Sequence, residues 1–145
     1  LPNGQRGDAF ARAERAAWEE TGEAYRPALL ADVPLIPAHT ALLTTTVYHG
    51  SNPPGIVDIV PSESPRPAGW TAALVIVDGL IGQAVDDGIC QRFSHVPGMP
   101  ELLLRAVSYR RYVNDLHSAS RSNTRSHIER VEQHLVSRAS AILER

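Results

Sequence analysis

Hydrophobic residues recur at helical spacing in two stretches near the C-terminal end of the chain. The apolar positions of the first stretch follow one another at intervals of four and three residues: Leu102, Ala106, Tyr109, Val113 and Leu116. Those of the second stretch do the same: Ile128, Val131, Leu135, Ala139 and Ile142. Each set forms one face of an amphipathic helix, and Pro100 suits the first turn of the earlier one. Because only the polar segment 118–126 separates them, the two stretches predict an antiparallel helical hairpin.

A third apolar face lies near the beginning of the chain. Phe10, Ala13, Ala17 and Trp18 fall on one side at helical spacing. Asp8 is a suitable N-cap and Gly22 a suitable stop, so the pattern predicts a helix from residue 8 to residue 21.

The central part of the chain predicts short strands. Thr40 to Tyr48 is rich in threonine and β-branched residues, and Ile56 to Val60 forms a second candidate strand after a turn at Asn52 to Gly55. Pro61 to Gly69 reads as a loop. Trp70 to Val77 fits either a strand or a helix, because periodicity does not distinguish the two in a short apolar run. We therefore expect an α+β fold, with a mixed sheet flanked by helices and a C-terminal helical hairpin.

The length and composition of the chain fit a single domain. The chain has 145 residues, and we divide it into a core at 1–98 and a hairpin at 99–145, packed on the same domain or on a second copy. The second arrangement would make a homodimer. A net charge of −2 provides no basic field for nucleic acid. The chain has a single cysteine, Cys90, and we see neither a signal peptide nor an apolar run long enough for a bilayer. These features predict a cytoplasmic protein without a membrane partner.

Candidate chemistry is concentrated in the first 22 residues. The chain opens with Leu1-Pro2-Asn3-Gly4, continues with Gly7-Asp8, and then reads Arg-Ala-Ala-Trp-Glu-Glu-Thr-Gly over residues 15–22. Two adjacent glutamates on a helix, Glu19 and Glu20, can arrange carboxylates around a divalent cation, which prefers hard oxygen ligands. Arg15, one turn earlier, can hold Glu19 through a charge-assisted hydrogen bond. Such a cation neutralises phosphate oxygens and activates water when a pyrophosphate is cleaved.

This ordered set resembles the signature of the Nudix hydrolases. The looser resemblance extends to about residue 105 through a loop glutamate, Glu63, and a strand that would open with Trp70. It implies a Nudix-like fold and a Mg²⁺-dependent hydrolase, with Mn²⁺ as a substitute ion, acting on a nucleoside diphosphate linked to another moiety. It further implies that Glu19 and Glu20 bind the metal, that Arg15 orients them, and that Glu63 is a further ligand or base.

Departures from the signature leave two other functions open. Position 16 is alanine where the family has a metal-binding glutamate, and Asp8 replaces the glutamate of the Gly-Glu pair. These differences favour a non-catalytic module that binds a nucleotide or a protein. The third function is a helical ribonuclease of the HEPN type, because Arg121 and His127 fit its loose Arg-x(4–6)-His pattern. Asp86 and Asp87 with His95 more simply indicate a polar surface.

Overall fold

The computed structural model describes residues 3–116 and 122–144, and the side chains of 7–116 and 124–144. The elements in chain order are α1 (Asn3–Glu19), a 3-10 helix (Pro27–Leu30), β1 (Leu35–Ile36), α2 (Leu42–Thr45), β2 (Thr46–Val47), β3 (Gly55–Ile56), β4 (Arg66–Pro67), α3 (Trp70–Ile81), α4 (Gly88–Arg92), α5 (Met99–Asp115) and α6 (Ser122–Leu143). The predicted α+β class is confirmed. Helices dominate this part of the chain, and every strand in it has two residues.

Helix α1 begins earlier than the sequence pattern predicts. Asn3, Gly4, Gly7 and Asp8 all lie within it, so they do not form the glycine-rich turn that was expected before the helix. Ala9 is 5% exposed and extends the buried face of Ala13 and Ala17 by one turn towards the N-terminus. Leu1 and Pro2 lie outside the described residues.

Two small antiparallel sheets stand where a mixed sheet was predicted. Strand β1 pairs with β4, with Ile36 opposite Arg66, and β2 pairs with β3 on either side of the turn at 49–52. Residues 42–45, in the middle of the strand predicted at 40–48, are helical instead. There the hydroxyls of Thr44 and Thr45 donate to the carbonyl of Ala41, and these local bonds hold one helical turn.

The apolar run that begins at Trp70 is a helix, α3, and not the strand that the family resemblance implies. Trp70, Ala73, Leu74 and Val77 are all 1% exposed or less, and they occupy the helical positions i, i+3, i+4 and i+7. A helix buried on most sides is apolar at nearly every position, which hides its period in the sequence.

Helix α5 is the centre of the core. It packs against α1, α3 and α6, and the nine consecutive residues from Glu101 to Tyr109 are all buried. One hydrophobic cluster includes residues from both sides of position 98, such as Trp70 and Leu102. The hydrophobic core therefore includes residues of both the predicted core at 1–98 and the predicted hairpin at 99–145.

The C-terminal hairpin has the predicted antiparallel arrangement. Arg125 near the start of α6 pairs with Asp115 at the end of α5, at 2.9 Å. Most of the predicted apolar face of α6 is buried, from Ile128 to Ala139, whereas Ile142 is 44% exposed. Residues 118–121 of the predicted connection at 118–126 lie outside the described residues. Within the described residues, we find no helix with the length and apolar character needed to cross a membrane.

Candidate functional site

Arg15 forms its salt bridge with Glu63, and not with Glu19 as the sequence predicts. Its Nη2 donates to Oε1 of Glu63 at 2.7 Å, across 48 residues of sequence. Arg66 also pairs with Glu63, at 3.3 Å. The hydrogen bond from Arg15 is the main reason that the pKa of Glu63 lies below its usual value. Two predicted site residues are thus brought together, as an ion pair near the surface.

Glu20 connects the end of α1 to α5. Its Oε1 accepts hydrogen bonds from Arg111 Nη2 at 2.5 Å and from the hydroxyl of Tyr112, and its Oε2 accepts a longer one from Tyr25 at 3.4 Å. Arg111 also pairs with Glu132 of α6. The carboxylate of Glu20 therefore helps to join three helices.

This arrangement does not fit a Mg²⁺ ion held between Glu19 and Glu20. The guanidinium of Arg111 occupies the position of a cation beside Glu20, and the side chain of Glu19 is exposed. Ala16 adds no oxygen ligand. A metal at Glu20 would first have to break the contacts with Arg111 and Tyr112.

Glu14 forms a buried centre that the sequence analysis missed. It is 2% exposed and accepts three hydrogen bonds: from Trp70 Nε1 at 3.2 Å, from Arg66 Nε at 2.8 Å and from the backbone nitrogen of Glu63 at 2.7 Å. The sequence does carry a signal for it. Glu14 is an acidic residue one position after Ala13 and four after Phe10, on the apolar face of α1.

A second buried charge caps the C-terminal end of α1. Nη1 of Arg105 donates to the carbonyls of Ala17, Trp18 and Glu20 at 3.1, 3.0 and 2.5 Å. Cations are favoured there by the free carbonyls and by the helix dipole. Arg105 is balanced by Glu101, whose Oε1 lies 2.8 Å from its Nε. The end of α1, where the metal ligands were predicted, is therefore a packed joint.

The remaining candidates have local roles. Asp86 accepts a hydrogen bond from the backbone of Gly88, and His95 Nδ1 contacts the carbonyl of Arg92, so the two do not converge. Cys90 is buried, as expected for a small core residue. Arg121 of the ribonuclease pattern lies outside the described residues. In residues 3–116 and 122–144 there is no group of three or more His, Cys, Asp or Glu side chains arranged to hold a metal ion.

An apolar pocket of about 500 Å³ lies over the outward face of α3. Its walls come from five elements and the residue after α4, represented by Ile36, Leu42, Pro67, Val75, Ile76 and Phe93. Strand β1 pairs with β4, which ends just before α3, and both strands contribute to the wall, as does α4 through Ile89. No sequence motif indicated the pocket, since its residues come from positions 36 to 93.

A smaller cleft of about 260 Å³ adjoins the buried carboxylate of Glu14. It lies between α1 and the segment at 60–63, with Glu63, Thr40 and Tyr109 in its wall. Burial raises the pKa of Tyr109. Neither Glu19 nor Glu20 contributes to this cleft.

Comparison with known proteins gives no relative on which to base a function. No protein-family model matches the chain, and no curated protein or solved structure matches it either.

Proposed function

We propose that this protein is a non-catalytic binding module. The observation that carries the proposal is the use of Glu20, whose carboxylate is held by Arg111 and Tyr112 at a junction of helices. A carboxylate neutralised in this way stabilises the fold and is not free to bind a substrate-activating cation. The alanine at position 16 removes another of the family's metal ligands.

Hydrolysis measurements with two matched variants test this proposal. The full chain is incubated with Mg²⁺ and a panel of nucleoside diphosphate derivatives, as wild type, Glu19→Gln and Glu20→Gln. We expect no hydrolysis above the buffer rate in any of the three. In urea unfolding, Glu20→Gln should lower the free energy of unfolding by about 1.5–3 kcal/mol, because a charged hydrogen-bond acceptor is lost. Glu19→Gln should change it by less than about 0.5 kcal/mol, as is usual for an exposed residue.

The Mg²⁺-dependent Nudix-type hydrolase is the second candidate. It is favoured by the pairing of Arg15 with Glu63, which joins two of the residues that the resemblance implies for catalysis. Hydrolysis that requires Mg²⁺ and is lost in Glu19→Gln would establish this candidate and reject the binding module. The Nudix-like fold, the cytoplasmic location and the HEPN-type ribonuclease stay predictions.

A homodimer through the C-terminal helices is a further part of the proposal. Ile142 and Leu143, at the end of α6, are 44% and 47% exposed. A second copy could cover this apolar end. Light scattering coupled to size-exclusion chromatography measures the mass directly, and a monomer at all concentrations would reject the dimer.

A further inference from the structure

We infer that the apolar pocket over α3 is a binding site for a neutral, largely hydrocarbon small molecule. The inference rests on the proposed binding function and names its class of ligand. It depends on three properties of the pocket: its size, the chemistry of its walls and the exposure of its rim.

The size of the pocket suits a small molecule. Ligand sites commonly have volumes of about 300–1,000 Å³ and are concave, with walls from several elements. The pocket of about 500 Å³ lies within that range, and the floor formed by Trp70 and Ile76 is buried. Such a floor is fixed by the core beneath it, so the site exists before a ligand arrives.

The chemistry of the walls selects a neutral ligand. None of the lining residues carries an ionisable side chain. A phosphate or a carboxylate placed there would lose its hydration without gaining a cation, which is strongly unfavourable. A nucleotide is therefore a poor fit, whereas an alkyl or ring system replaces water at an apolar surface.

Thr71 provides a single polar anchor. Its Oγ1 accepts a hydrogen bond from the backbone nitrogen of His39 at 2.9 Å, and a hydroxyl has one hydrogen of its own to donate. The other polar atom near the floor, Trp70 Nε1, is already bound to Glu14. The favoured ligand thus has an apolar body and at most one uncharged hydrogen-bonding group, such as an alcohol.

The rim of the pocket leaves apolar surface in water when the pocket is empty. Ile36 and Val85 line it and are 44% and 38% exposed. Covering this surface is favourable by about 25 cal/mol for each Å² removed from water. Ile36 belongs to a strand held by only two residue pairs, so the rim can adjust to a ligand without disturbing the core.

The test uses Nile red, a neutral dye whose fluorescence rises in apolar surroundings. We expect saturable binding of one dye per chain and displacement by 1-decanol. Decanoate, ionised at pH 8, should displace the dye at least about tenfold less well because its charge would be desolvated. Ala72→Phe places a ring in the pocket and should raise the Kd for the dye at least about tenfold.

Two further variants complete the design. Ala141→Phe adds the same ring to an exposed position on α6 and should bind the dye like wild type. Ile36→Asp introduces a charge at the rim, where Ile36 is 44% exposed, and should also weaken binding at least about tenfold. A thermal unfolding transition shows whether Ala72→Phe folds. If it does not fold, Ile36→Asp becomes the decisive variant.

Several results would overturn the inference. The first is that wild type shows no saturable dye binding. The second is that wild type and both pocket variants bind the dye equally well. The third is that decanol and decanoate displace the dye equally well. A dimer that dissociates in Ile36→Asp and excludes the dye would instead assign the pocket to a second copy. If the dye does not bind and no Mg²⁺-dependent hydrolysis is seen, only the class of ligand is rejected. Hydrolysis that depends on Glu19 would reject the proposed binding function itself.

Discussion

The indole Nε1 of Trp70 donates a hydrogen bond at 3.2 Å to the carboxylate of Glu14, in the buried contact between α3 and α1. Arg66 and the backbone of Glu63 complete the set of donors around this carboxylate. A buried carboxylate with a guanidinium and two N–H donors is stable, but each of its partners then depends on it.

Replacement of Glu14 tests this dependence. We expect Glu14→Leu to lower the free energy of unfolding by about 3–5 kcal/mol, because it leaves Arg66 charged and partly buried without its main partner. Urea unfolding measures the change. Glu19→Leu, on the exposed side of the same helix, is the control and should stay within about 0.5 kcal/mol of wild type. Equal effects of the two substitutions would contradict the structural role of Glu14.

Arg105 and Glu101 should be energetically coupled. Arg105→Met removes the cap of α1 and leaves the carboxylate of Glu101 buried without a cation, at a cost of about 3–5 kcal/mol. In a double-mutant cycle with Glu101→Gln, the double variant should lose less than the sum of the single variants, with a coupling of about 1–3 kcal/mol. Urea unfolding of all four proteins gives the cycle. Simple additivity would show that the two side chains act independently.

The ion pair of Arg15 and Glu63 predicts a pH-dependent contribution to stability. The pKa of Glu63 is lowered in the folded protein, mainly by the hydrogen bond from Arg15. The unfolded state thus binds the proton more readily, so the contribution is present above the unfolded pKa and is lost as the pH falls through the folded pKa.

Titration of the Glu63 carboxyl by ¹³C NMR measures this effect. In Arg15→Gln the pKa of Glu63 should move up, and in wild type added salt should move it in the same direction because the pair is near solvent. Arg12→Gln, on an exposed position of the same helix, serves as the control. An unchanged pKa of Glu63 in Arg15→Gln would mean that the pair does not form in solution.

Alanine substitutions at two glycines should change the free energy of unfolding in opposite directions. Gly98 has φ of +71°, and a Cβ there would lie 2.3 Å from Cδ2 of Leu30. Gly98→Ala should therefore destabilise the protein by about 1–3 kcal/mol. Gly7 lies within α1 with no heavy atom within 4 Å of such a Cβ, so Gly7→Ala should stabilise by about 0.5–1 kcal/mol. Thermal and urea unfolding compare them, and a shift of the same sign for both would contradict the structure.

The fold was predictable where the period of the apolar residues is clear. The apolar residues of α5 and α6 recur at intervals of three and four, so the sequence located both helices and their hairpin, including Pro100 in the first turn. Helix α3 was ambiguous because it is apolar on nearly all sides. The strand predicted at 40–48 was wrong at 42–45, since the hydroxyls of Thr44 and Thr45 support a helical turn there.

The candidate site was predictable only as residue types. Glu20 and Arg111 are separated by 91 positions, and no local pattern indicates that a guanidinium will meet that carboxylate. The sequence indicates Glu63 as a site residue only through its position in a loop. Its contact with Arg15 follows from the approach of that loop to α1.

The sequence alone determined the helical hairpin, the first helix and the α+β class, because local spacing of apolar side chains fixes which face of an element must be buried. Tertiary structure decided which acids are buried, which cations they meet and where the apolar pocket opens. Those properties depend on contacts between residues distant in the chain, such as Glu14 with Trp70 and Glu20 with Arg111. Packing brings these pairs together, and the order of residues along the chain does not specify their distance.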